Sequence, residues 1–173
     1  IVEAAERMIK PSGLPRAESR GSLLGRRIVV SAGPTYEDID PVRFIGNRSS
    51  GRMGYAIAAE ASRRGAHVAL VSGPTRLDAP AGVVIERVRS AAEMARAMAQ
   101  HAAGADAVVM AAAVADYTPE RGAAATKVPK ADAPLTMTLV RTPAIPADLG
   151  RARGASGRPL LVGFAAETGD PRP

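Results

Sequence analysis

The chain of 173 residues contains no cysteine and no tryptophan. Without cysteine it can form no disulfide, no thiolate zinc site and no cysteine nucleophile. Aromatic residues make up 3% of the sequence, as two Phe and three Tyr. A core must therefore come from Ala, Val, Ile, Leu and Met, and few rings are left on which nucleic-acid bases could stack. No run of roughly 18 apolar residues occurs, so no membrane-spanning helix is expected. The first residues also lack the pattern of a secretory leader. These absences favour a cytoplasmic protein with no membrane partner. Lysine is scarce as well: of 23 basic residues only Lys10, Lys127 and Lys130 are Lys, the rest being Arg.

What is present suits one domain. The hydrophobic fraction of 46% is ordinary, and the length suffices for a core. A net charge of +6 with a pI near 10.5 admits nucleic acid or small phosphorylated ligands as partners. The basic residues are dispersed in runs of at most two, which favours the phosphorylated ligands over nucleic acid. Residues 1–10, IVEAAERMIK, read as the end of a helix, and residues 11–25, rich in Pro, Gly and Ser, as a linker. Residues 1–25 are thus expected to be the tail of a preceding domain, with the domain proper at 26–173.

From Arg26 the pattern alternates. RRIVVSA (26–32), HVALVSG (67–73), VVIERV (83–88) and the start of DAVVMAAAVAD (106–116) read as strands, and RMGYAIAAEASRRG (52–65) as a helix. Ser90 opens a second helix, with Glu93 three residues on, the spacing of a capping box. Such alternation argues βαβ units and a parallel sheet. Past Asp116, residues 117–133 read as a mobile loop, 135–140 as a strand, and TPAIPADLGRARG as a short helix weakened by Pro143 and Pro146. PLLVGFAAE (159–167) reads as a further buried strand. With no covering helix after it, the sheet is expected to lack C-terminal elements.

Residues 31–55, SAGPTYEDIDPVRFIGNRSSGRMGY, join the first strand to the first helix. Such loops are where α/β folds place ligands, and the helix start favours phosphate. Ser49 or Ser50 is expected to cap that helix, with Arg43, Arg48 and Arg52 adding positive charge. GNRSSGRM (46–53) resembles a P-loop, but Arg52 and Met53 replace its Lys and Ser/Thr. No G-x-G-x-x-G follows the first strand, which lowers the odds of a dinucleotide. Gly33 and Gly51 serve either a plain turn or a phosphate site. Asp116, at the carboxyl end of the fourth strand, is either a turn residue or a magnesium ligand beside phosphates. Phe164 is either core or the lining of an apolar pocket. His67 and His101 are read as structural.

The blocks SAGPTYEDIDPVRFIGNRSSGRMGYAIA, HVALVSGP, AAAVADY, KVPK and VGFAAET, in this order over about residues 26–170, resemble phosphopantothenate–cysteine ligases, often fused behind a phosphopantothenoylcysteine decarboxylase. The resemblance implies a Rossmann-like three-layer α/β sandwich with a mainly parallel sheet. It also implies CTP-dependent joining of 4′-phosphopantothenate to L-cysteine through an acyl-cytidylate, in coenzyme A synthesis, with Mg²⁺. FMN would belong to the fused decarboxylase and not to this chain, and a homodimer of the ligase domain is expected.

Residue by residue, the resemblance assigns Asn47 to the acyl intermediate and Arg43 to the same region as catalytic and substrate-binding residues. It places Gly33, Ser49, Ser50 and Gly51 at the nucleotide phosphates, Asp116 at metal and ribose, and Ala115 and Phe164 around the base. Lys127 and Lys130 match the first and last lysines of a K-I-K-K strap over the triphosphate, Lys127 with a catalytic role. Two departures stand out: Pro129 takes the place of a strap lysine, and Thr142 and Ala144 stand where Asn and Asp are usual. Two rival expectations are a catalytically incomplete nucleotide-binding fragment and an NAD(P)-dependent reductase.

Overall fold

The computed structural model describes residues 21–154 and 157–165. Nine strands and three helices are present among them: β1 (Arg27–Ala32), β2 (Tyr36–Asp38), β3 (Phe44–Gly46), α1 (Arg52–Arg63), β4 (His67–Ser72), β5 (Val83–Arg87), α2 (Ala91–Ala102), β6 (Ala107–Met110), β7 (Tyr117–Pro119), β8 (Leu139–Arg141), α3 (Ile145–Arg153) and β9 (Leu160–Gly163). Five strands form one sheet in the order β5-β4-β1-β6-β9, and every pairing in it is parallel. The expected α/β class and mainly parallel sheet are therefore what the chain adopts.

Parallel strands are fully sheltered only when helices cover both faces, and alternate residues of β1 and β4 divide accordingly. Val29 and Val71 pack with Met94, Ala97 and Met98 of α2 and with Ile145 and Leu149 of α3. Val30 and Leu70 pack with Tyr55, Ala58 and Ala61 of α1 on the other face. Tyr55 is the one aromatic residue in these two clusters, as the composition requires. The small alanines let α1 lie close on the sheet.

The second helix begins as its sequence demands. Ser90 Oγ accepts from the Glu93 N–H at 3.2 Å and Glu93 Oε2 accepts from the Ser90 N–H at 3.3 Å. A second carboxylate, Glu37 of β2, accepts from the Ala91 N–H at 2.8 Å. Helix α3 forms despite its prolines because Pro146 falls in the first turn, where a missing N–H costs nothing.

Four expectations need correction. The N-cap of α1 is Gly51, at φ 76°, rather than a serine; Ser49 Oγ accepts from the Gly51 N–H at 3.3 Å, closing the turn ahead of the helix, and Ser50 Oγ accepts from the Arg52 N–H at 3.5 Å. The loop between β1 and α1 contains an antiparallel hairpin, β2 on β3. Residues 117–119, read as loop, pair as β7 with β8, and the strand expected at 135–140 starts only at Leu139. Among the described residues strand β9 is a sheet edge rather than a buried strand: β6 is its one partner there and Leu160 is 59% exposed. Residues 1–20, read as helix end and linker, lie outside the described residues. Residues 21–25 form a turn held to the end of α1 by the Leu23 N–H on Arg64 O at 3.0 Å. No helix among the described residues is long and apolar enough to cross a membrane.

Candidate functional site

Chain order reverses between β1 and β6: the chain moves outward from β1 to β4 and β5, then crosses back to β6. In an open parallel sheet the crevice for ligands lies there, at the carboxyl ends of the strands. The two loops leaving that edge are laced together. Gly33 O accepts from the Ala113 N–H at 2.9 Å, and Ala113 O from the Thr35 N–H at 3.3 Å. The buried Thr35 adds its Oγ1, which accepts from the Ala115 N–H at 2.9 Å. Ala115 is itself 2% exposed, so its backbone is held rigidly, and Asp116 follows as an exposed residue.

The start of α1 sits directly on this edge because glycines leave room. Gly33 and Gly51 both have φ near +77°, a region open to glycine at no cost. A Cβ on Gly51 would stand 2.7 Å from Thr75 Cγ2 and 3.3 Å from Gly33 Cα; one on Gly54 would stand 2.5 Å from Ala32 Cβ. Helix and strand thus approach as closely as in a glycine-rich phosphate turn, although the residues between Gly33 and Gly51 run through a hairpin. Beneath, Thr75 Oγ1 donates to Tyr55 Oη at 3.0 Å, and Tyr55 Oη lies 3.0 Å from Ser72 Oγ. With Gly51 as the cap and without a side-chain cap bond of its own, the first turn of α1 starts at the crevice end; Ser50 Oγ accepts from the Arg52 N–H at 3.5 Å, and such a helix start favours phosphate.

The hairpin carries the remaining groups. At its tip Asp40, fully buried, divides its oxygens. Oδ1 accepts from the Val42 and Arg43 N–H groups at 2.8 and 2.9 Å. Oδ2 accepts from Arg43 Nε at 2.9 Å and Nη2 at 2.5 Å, and from the Val128 N–H at 3.1 Å. The bonded Arg43 guanidinium holds the Asp40 carboxyl well below the usual carboxylate range; burial opposes this, and the three backbone N–H groups reinforce it. Arg43 Nη2 also donates to Val128 O at 2.7 Å. At the hairpin's flank, Tyr36 and Phe44 stack at 3.9 Å under Arg89, whose guanidinium is paired with Asp38 at 2.8 and 2.6 Å. Just past β3, Asn47 Nδ2 donates to Val114 O at 2.8 Å.

The structure therefore gathers most of the expected residues into two neighbouring groups. Asn47, Ala115 and Asp116 meet where the hairpin touches the β6 loop, beside Gly33, Ser49, Ser50 and Gly51. Arg43 meets the strap at Val128, which leaves Lys127 and Lys130 exposed on either side. Phe164 follows Gly163, the partner of Met110, and so leaves the sheet at the same edge. It is 55% exposed, which removes the core reading. Thr142, one of the departures, ties β8 to the site: its N–H donates to Asp116 O at 3.0 Å and its Oγ1 to Ala115 O at 2.6 Å. His67 opens β4 at the opposite edge, and His101 pairs with Glu86 at 2.7 Å, in keeping with structural roles. Asp40, Thr35 and Glu37 are the residues a sequence reading passes over. Only Asp40 leaves a signal, the Asp-Pro pair of a side-chain-closed turn.

Among the described residues, Asp116 is the expected metal ligand. No group of three or more His, Asp or Glu able to hold a metal occurs among the described residues. Asp116, exposed at the crevice, fits a magnesium ion that keeps several waters and takes its other ligands from substrate phosphates.

Comparison with known proteins places the chain in one family. The model of the DNA/pantothenate metabolism flavoprotein C-terminal domain matches residues 23–172. The coenzyme A biosynthesis bifunctional protein CoaBC of Mycobacterium tuberculosis (strain H37Rv) is 50% identical over 152 residues, covering 86% of this chain and 36% of that protein. CoaBC of Bacillus subtilis (strain 168) is 45% identical over 154 residues, covering 88% of this chain and 37% of that protein. The chain thus spans little more than a third of the length of the curated relatives it matches. A crystal structure of the C-terminal domain of CoaBC superposes with a TM-score of 0.73 at 45% identity, over 87% of this chain and 69% of that one. A Cab2 mutant in complex with phosphopantothenate-cysteine shares the fold, with a TM-score of 0.58 at 15% identity, over 72% of this chain and 59% of that one.

Proposed function

This chain belongs to the DNA/pantothenate metabolism flavoprotein C-terminal domain family, and from that premise we propose that it joins 4′-phosphopantothenate to L-cysteine at the expense of CTP, in the cytoplasm and as a homodimer. The substrate carboxylate attacks the α-phosphate of CTP, forming a P–O bond as pyrophosphate leaves. The cysteine amine then attacks the acyl carbon, and CMP leaves as the amide forms. Phosphopantothenate-cysteine, named with the Cab2 structure, is the compound this sequence of steps yields.

The observation that carries this reading is the placement of Asn47. One hydrogen of its Nδ2 is used on Val114 O at 2.8 Å, which fixes the carboxamide against the β6 loop. The second hydrogen is left to donate to the acyl oxygen, where negative charge builds as the cysteine amine attacks the acyl carbon. The first turn of α1, with Ser49, Ser50 and Gly51, takes phosphate oxygens. Lys127 and Lys130 supply point charges to the triphosphate from the loop docked on Arg43. Ala115 and Phe164 border the base. Asp116 would hold magnesium, which when bound neutralises charge on the phosphates. FMN chemistry has no place in these residues and is assigned to the decarboxylase half of bifunctional relatives.

The test is pyrophosphate release from CTP, 4′-phosphopantothenate and Mg²⁺, with and without cysteine, using this chain. Release that depends on phosphopantothenate is expected. Saturable CTP binding without release would replace the reading with a catalytically incomplete nucleotide-binding unit. NAD(P)H binding in place of CTP would replace it with a reductase. Sedimentation of the same sample checks the dimer.

A further inference from the structure

We propose that Asp40 is a positioning residue for the triphosphate: through Arg43 and the backbone of Val128 it sets the loop bearing Lys127 and Lys130 over the crevice. This rests on the reading of those lysines as nucleotide ligands.

Three bonds lay the loop along the hairpin turn. The Ala124 N–H donates to Ile39 O at 2.9 Å, the Val128 N–H to Asp40 Oδ2 at 3.1 Å, and Arg43 Nη2 to Val128 O at 2.7 Å. Both backbone groups of Val128 are thereby used by one ion pair 85 and 88 residues away in sequence. The side chains on either side, Lys127 and Lys130, stay exposed. A turn aspartate needs only the oxygen that receives its own turn's N–H groups, and Oδ1 does that work here. Oδ2 takes no bond from the Val42 or Arg43 N–H; it holds the guanidinium and the loop. Pro129 fits the same arrangement. A residue before proline is confined to extended backbone, so Val128 is preset with its N–H and C=O apart. The strap gives up one lysine for a shape that the ion pair can grip.

This division of labour makes Asp40→Asn a selective cut. The Asn oxygen can still close the turn, but its NH₂ group cannot accept from Val128 or from Arg43. Amide hydrogen exchange on the whole chain is expected to show Val128 protected in the wild type and exchanging at least about tenfold faster in Asp40→Asn, with β1 and β4 unchanged. Calorimetry in Mg²⁺ is expected to show the Kd for CTP rising about tenfold, while the Kd for CMP, which lacks the phosphates addressed by the lysines, stays the same. The CTP-over-CMP preference therefore narrows. A general loosening of the site would weaken both nucleotides equally and overturn the proposal, as would an unchanged Val128 amide or an unchanged Kd for CTP. Arg43→Lys is the second variant. It keeps the charge on Asp40 but cannot also reach Val128 O in a fork, and it is expected to narrow the same preference; a variant that keeps the wild-type preference sinks the proposal even where Asp40→Asn fails to fold. A wild type that binds neither nucleotide overturns the nucleotide reading and this proposal together. A wild type that binds CTP while the variants match it overturns this proposal alone.

Discussion

At the scale of single residues, two polar side chains decide the chemistry proposed here, and they do so by opposite means. Asn47 is exposed and held by one bond, so its substitution should leave the fold intact. Asn47→Ala is expected to retain pyrophosphate release on first contact with CTP and phosphopantothenate but to slow amide formation by about 10²–10³; quenched-flow separation of the two half-reactions checks this, and equal loss of both would remove Asn47 from the acyl step. Asp40 is buried and held by five bonds. Its carboxyl stays ionised in the fold at pH values where the unfolded chain's aspartates already take up protons. The stability it contributes is therefore complete above the unfolded pKa of about 3.9 and is lost as pH falls through the lower folded value. Urea denaturation should show a gap between wild type and Asp40→Asn that is flat from about pH 5 to 8 and narrows progressively as pH falls below about 4. A gap that widens on acidification would contradict the assignment.

At the scale of elements, the contact between α1 and β1 sets the geometry of the phosphate end. Ala is the better helix former than Gly by about 1 kcal/mol, so Gly54→Ala would stabilise an isolated α1. In the protein the added methyl meets Ala32 Cβ at 2.5 Å and Ser31 O at 2.8 Å, both on β1, which is paired on both sides and cannot retreat. The clash outweighs the propensity, and a net loss of about 1–3 kcal/mol is expected from urea titration. A gain would mean that the helix lifts off the strand without cost. The hairpin contributes at this scale too. Through Glu37 it caps α2, through Thr35 it fixes Ala115, and through Asp40 it holds the strap. One short element thus ties together three segments that are far apart in sequence.

At the scale of the molecule, β1 and β4 serve both cores. Val29 and Val71 face α2 and α3, while Val30 and Leu70 face α1. Leu70→Ala, at a position with no exposure, is expected to cost about 2–5 kcal/mol and to leave one cooperative transition, with far-UV dichroism and tyrosine fluorescence falling together. Separate transitions would show that the two faces unfold independently. The legibility of the fold follows from the same packing. Long apolar strands and Ala-rich helices repeat over enough residues to declare a period, which is why the sheet, α1 and the capping box at Ser90 could be read from sequence. Strands β2, β3, β7 and β8 are three residues each, too short for any period; β8 was read only as part of a longer strand, and the other three went unread. Strand β9 looks buried because it is apolar; nothing in its residues says that, among the described residues, it has a neighbour on one side only. The two crevice loops were legible as loops because turn chemistry is local. The grip of Asp40 on Val128 was not, because it depends on a loop closing over 88 residues.

The touching of Gly33 and Gly51 bears on how this domain can be altered. A chain that departs from one point and returns to it encloses a segment the scaffold does not route through. Residues 34–50 are such a detour, and their removal would leave strand, helix and sheet joined as they are now. A shortened version would forfeit its attachments to three segments, among them those at Ala91, Ala115 and Val128, together with Asn47 and Arg43. Hairpin and scaffold meet at these two glycines, so a different hairpin inserted there would meet the same helix end with a new set of side chains.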